Sequence, residues 1–84
     1  MKPGDLVRAL TPCVFWRERS SQSGHKDFKI HCDEIMMLID APWTVQFDHP
    51  ERARRKETYI RVLHPAHGII RGFHYYVEVI DEAG

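Results

Sequence analysis

The stretch Thr58-Tyr59-Ile60-Arg61-Val62-Leu63-His64 decides the fold class. It is β-branched and aromatic almost throughout, a composition that fits a pleated, half-buried surface. Side chains alternate across a strand. Tyr59, Arg61 and Leu63 therefore face one way, and Ile60, Val62 and His64 the other. Downstream, Pro65 to Gly68 forms a short connection, and Ile69-Ile70-Arg71 reads as the returning arm of a hairpin. Gly72-Phe73-His74-Tyr75 reads as a tight turn with one turn of 3₁₀ helix. Tyr76-Val77-Glu78-Val79-Ile80 reads as the last strand, and residues 81–84 as a frayed end.

Upstream, Ile35-Met36-Met37-Leu38-Ile39 is a short apolar run that suits a strand buried on both faces; a helix capped by Asp33 is the alternative. Ala41-Pro42 ends it, and Trp43 to Phe47 alternates as a further strand or hairpin arm. At the start, Pro3-Gly4-Asp5 is a turn leading into a first strand, Leu6-Val7-Arg8-Ala9-Leu10. Thr11-Pro12 interrupts it, and Val14-Phe15-Trp16 resumes as an extended piece. Two polar segments read as loops. Arg17 to Lys29 has no apolar period, and Asp48 to Lys56 contains Pro50. The expectation is five or six short antiparallel strands. An open sheet this small leaves apolar edges exposed. A small closed or half-closed barrel removes them by pairing the first strand with the last.

Composition bounds the rest. A chain of 84 residues and 9.9 kDa holds one domain, residues 1–84, and its 43% hydrophobic content supports a core without disulfide or metal. Twelve basic residues balance twelve acidic ones, which excludes a chain-wide cationic binder. No apolar run approaches the roughly 18 residues of a membrane span. Met1-Lys2-Pro3-Gly4-Asp5 lacks the apolar region of a secretory signal. The expectation is a soluble protein of a reducing interior, with Cys13 and Cys32 unbridged.

Gly4-Asp5-Leu6-Val7-Arg8 resembles the opening of many small SH3-like barrel proteins, and Met36-Met37-Leu38-Ile39-Asp40 looks like their second, apolar strand. The closing stretch from Tyr59 to Asp81 looks like their strand, hairpin, short turn and last strand. On these segments, about half the chain, it resembles a group of small uncharacterised proteins of tailed bacteriophages, including phages of marine cyanobacteria. The resemblance implies an all-β, SH3-like barrel located in the host cytoplasm or the virion, and it implies no reaction. The chain departs from the pattern twice. Phe15 to Asp33 is longer than the usual connection, and His74-Tyr75 stands where an acidic pair is usual.

Six histidines and two cysteines raise the question of metal. Structural zinc uses two close ligand pairs. The candidates are His31-Cys32 and His64-x-x-His67, with His74 or His25 completing a site. Neighbours on a strand point to opposite faces, so His31-Cys32 chelates poorly, and the reading is scattered surface histidine with no metal and no cofactor. Near their ordinary pKa of about 6.5 the six groups would charge together on mild acidification. Cys32 with His31 and Asp33 has the residue types of a nucleophile, base and orienter, but adjacent positions do not converge. Cys13 reads as a small buried hydrophobe. With no Gly-rich phosphate loop, no His-Glu-x-x-His and no Gly-x-Ser-x-Gly, the expectation is a non-enzymatic protein; a small enzyme using Cys32 or a histidine pair is the least favoured reading.

Aromatic residues point to binding. Trp16, Trp43, Phe73, Tyr75 and Tyr76 are more than a small core can hold, and aromatics near arginine are typical contact anchors. They are the candidate surface for a phage or host protein partner. The last strand, as an uncovered edge, offers self-association. The alternative partner is nucleic acid. Arg17, Arg19, Lys29, Arg52, Arg54, Arg55, Lys56 and Arg61 would form one basic face, with Lys26 beside them and Trp16, Trp43 or Tyr59 stacking on bases. The bland reading of that set is solvated loops, whose arginines pair with Glu51, Glu57 and the acidic tail.

Overall fold

Residues 58–64 do form a strand, and the strand is longer than the stretch that announces it. The computed structural model describes residues 1–18, 25–49 and 52–82. They build eight strands: β1 (Leu6–Ala9), β2 (Cys13–Glu18), β3 (His25–Ile30), β4 (Ile35–Leu38), β5 (Trp43–His49), β6 (Arg52–His64), β7 (Gly68–Phe73) and β8 (Val77–Asp81). One 3₁₀ turn, His74–Tyr76, joins β7 to β8. No α-helix occurs among the described residues, and none of their helices is long and apolar enough to cross a membrane.

All eight strands belong to one antiparallel sheet in the order β3-β2-β7-β6-β4-β1-β8, with β5 pairing β6 to the side. The first strand pairs with the last, Val7 opposite Val79 and Ala9 opposite Val77. The anticipated closure does not follow. No pairing among the described residues joins β3 to β8, so the sheet is open, and it has more strands than the five or six expected. One whole strand and the outer ends of three others come from segments read as loops. Arg17 and Glu18 continue β2, and residues 25–30 return as β3, with Trp16 opposite Asp27 and Arg17 opposite Lys26. Likewise β5 runs on to His49, and Arg52–Lys56 is strand rather than loop. Cross-strand pairing accepts polar and charged side chains where both faces meet water, which an apolar period cannot reveal.

Alternation sets the core. Val7, Ala9, Cys13, Phe15, Ile30, Met36, Leu38, Ile60, Val62, Ile70 and Val77 are buried on one face, with Phe28, Tyr76 and Val79 packed against them. The apolar run at Ile35–Leu38 is buried on that face only. Met36 and Leu38 point in, while Ile35 is 47% exposed. Gly72 is part of this packing, because a Cβ there would lie 2.6 Å from the Phe15 ring. Two connections use left-handed backbone, Asp33 at φ 70° before β4 and Gly68 at φ 74° entering β7. Asp is among the few residues with side chains that visit this region readily, and its amide closes onto the Ala9 carbonyl at 2.9 Å.

Candidate functional site

The face opposite the core is built by the same alternation. Direct cross-strand partners share a face, and the register sets Trp43 opposite Tyr59, Tyr59 opposite Phe73, and Trp16 opposite Arg71, which itself lies opposite Arg61. The rings form one connected array. Trp43 stacks on Tyr59 at 5.8 Å between centroids, Tyr59 meets Phe73 at 5.1 Å, and Trp16 meets Tyr59 at 5.9 Å and Phe73 at 5.5 Å, both edge-to-face. Beyond Phe73 the 3₁₀ turn adds Tyr75 at 5.4 Å and Tyr76 at 6.2 Å. Such contacts favour an ordered array over independent rotamers. Trp16, Trp43, Tyr59, Phe73 and Tyr76 are half-buried, and Tyr75 is 48% exposed.

All five aromatic residues singled out in the sequence thus fall in one cluster. Tyr59 is its hub. Arg61 extends it, with its guanidinium 5.8 Å from the Trp43 ring and 2.9 Å from the Asp40 carboxylate. Trp16, Arg17, Arg61, Ile69, Ile70 and Arg71 line a shallow depression of about 160 Å³ beside the array. Next to it a second row of the same face is aliphatic: Ile69 opposite Leu63, Leu63 opposite Met37, and Met37 opposite Leu6. Arg71 and this aliphatic row escape the sequence reading. Period two announces each residue, but only the register between distant strands places them side by side.

The basic set is not gathered in the same way. Strand alternation puts Arg61 and Lys29 on the aromatic face, and Arg17 and Lys56 on the other. Arg17 lies over the Phe28 ring at 5.1 Å and donates to the His67 carbonyl. Lys26 lies over the same ring at 5.4 Å. Arg52, Arg54 and Arg55 are carried on β6, and Arg19 lies outside the described residues.

The histidine and cysteine candidates resolve into structural contacts. The His64 side chain is 4% exposed. Its Nδ1 accepts from the Ala66 and His67 amides at 3.0 and 3.2 Å, so the proton resides on Nε2, which donates to Glu34 Oε1 at 2.9 Å. The second Glu34 oxygen accepts the His31 amide. Burial pushes the Glu34 carboxyl up, but the hydrogen bonds from the His31 amide and the His64 ring outweigh it, and it sits below the usual carboxylate value. His67 stacks on His64 at 4.4 Å and on Phe28 at 4.6 Å. The described histidines, cysteines and carboxylates form no group of three or more able to hold a metal. Both cysteines are free, Cys13 buried and Cys32 exposed. Burial raises the Cys13 thiol, and the Cys32 thiol donates to the Leu10 carbonyl at 3.4 Å. No family model, curated protein or solved structure matches this chain.

Proposed function

We propose that the protein is a non-enzymatic interaction module with an SH3-like architecture, which binds a protein partner through the aromatic face. The observation that carries this reading is the connected array of Trp16, Trp43, Tyr59 and Phe73 on the side of the sheet away from the core, continued by Tyr75 and Tyr76 of the 3₁₀ turn. Half-exposed rings held against one another lose little conformational freedom when a partner covers them, which is why aromatic residues dominate binding hot spots. The resemblance to small phage proteins is the reason for naming a phage or host protein as that partner.

Nucleic acid is the second reading, favoured by one observation: rings and guanidinium groups share a face, and bases stack on such platforms. Two features count against it. Asp27 lies across from Trp16 on that same face, and Arg17 and Lys56 stand on the other. Capture from host lysate, with and without nuclease, separates the two readings. Protein capture that survives nuclease and is lost on Trp43→Ser is expected. Capture abolished by nuclease overturns the primary reading.

A further inference from the structure

Arg61 and Arg71 are direct cross-strand partners on the open face, and like charges directly opposite one another destabilise a sheet. They sit in the depression lined by Trp16 and Ile69, so an anion placed there meets two guanidinium forks against an apolar wall. The Arg61–Asp40 pair is about half exposed and Arg71 too has a contact within the chain, but an arginine fork has donors for more than one acceptor. On one side of the arginines lies the row Phe73, Tyr59, Trp43; on the other lies the row Ile69, Leu63, Met37, Leu6.

We propose that this depression is a carboxylate socket, and that the partner docks as an extended acidic–apolar segment. Resting on the interaction reading above, it specifies the partner's chemistry. The spacing follows from strand geometry. Successive same-face residues of β6, namely Tyr59, Arg61 and Leu63, are about 7 Å apart. An extended peptide repeats its same-side chains at that interval. The matching segment has an acidic residue at its centre and large apolar residues two positions away on either side. One apolar side chain packs on the rings and the other on the aliphatic row. A polyanion fits less well. Asp27, Asp40 and Glu57 share the face, repelling phosphates strung along it while leaving room for one localised negative charge.

A random peptide library displayed against the intact protein tests the proposal. The expected consensus is apolar–x–acidic–x–apolar. In a synthetic peptide of that consensus, Glu→Gln at the centre weakens binding about tenfold or more, the range of a lost charge-assisted contact. Arg71→Gln does the same, with the fold retained by circular dichroism. Lys56→Gln removes one positive charge from the opposite face and leaves the affinity within about twofold. Binders without a central acid, or equal losses from Arg71→Gln and Lys56→Gln, overturn the socket while the interaction reading stands. A library that yields no binder sensitive to Trp43→Ser overturns both. Oligothymidylate that competes with the peptide identifies phosphate as the anion and overturns the carboxylate assignment.

Discussion

The two faces of this sheet are made from alternate residues of the same strands, yet they do different work. On the inner face Phe15, Ile60, Val62 and Ile70 are almost wholly excluded from water. On the outer face Trp16, Tyr59, Arg61 and Arg71 stand one position away and remain partly wet. A large apolar side chain does not by itself mark a core. What distinguishes the two sets is how far they are covered: among the described residues the core side chains are enclosed, whereas the rings keep part of their surface open. Stability is expected to reside on one face and recognition on the other.

The hardest test of that division is Phe15→Ala. Removing a fully buried ring should cost about 3–5 kcal/mol in chemical denaturation. A cost comparable to an outer-face substitution would erase the distinction. Gly72→Ala comes next. Its added methyl meets the Phe15 ring at 2.6 Å, and neither the β7 backbone nor the buried ring can move freely, so a loss of about 1–3 kcal/mol is expected.

Glu34→Gln probes the rim between the faces. It weakens the contact to His64 and removes the charge, and about 1–2 kcal/mol should be lost at neutral pH. Because the folded Glu34 carboxyl lies below its ordinary value, its contribution is complete above a pH of about 4.3 and disappears as pH falls through the folded value. Urea midpoints of the wild type and Glu34→Gln should therefore converge in acid. The smallest stability effect is expected for Tyr75→Ser, within about 0.5 kcal/mol, since the ring is half exposed. The same variant should weaken partner binding measurably by calorimetry. A stable variant with undiminished binding would remove Tyr75 from the interface.

The strand core around Ile60 and the β7 return were legible from apolar period and turn residues, and the 3₁₀ turn was legible to within two residues; the pairing of first and last strands was expected from a closure that the open sheet does not make. The outward ends of β2, β3, β5 and β6 were not. There Arg17, Lys26 and Lys56 belong to hairpin arms wet on their surfaces, where pairing of backbones rather than burial of side chains makes the strand. The aromatic residues were identifiable individually from their surplus over core volume. Their assembly around Tyr59 depends on which strands become neighbours, and a single sequence does not state that. The split of the basic residues between faces has the same origin. Once Arg17 lies within a strand, its parity with Phe15 rather than Trp16 fixes its side.

Strand β6 runs unbroken for thirteen residues. From Tyr59 onward it is clamped between neighbours, while among the described strands residues 52–58 pair with β5 alone. Mechanically it is a cantilever: one beam, built in at one end and supported on a single side at the other. Its root is Tyr59, which joins Trp43 to Trp16 and Phe73 in the aromatic array. A load on the ribbon would act as a bending moment at that root, where Trp16 and Phe73 brace the Tyr59 ring.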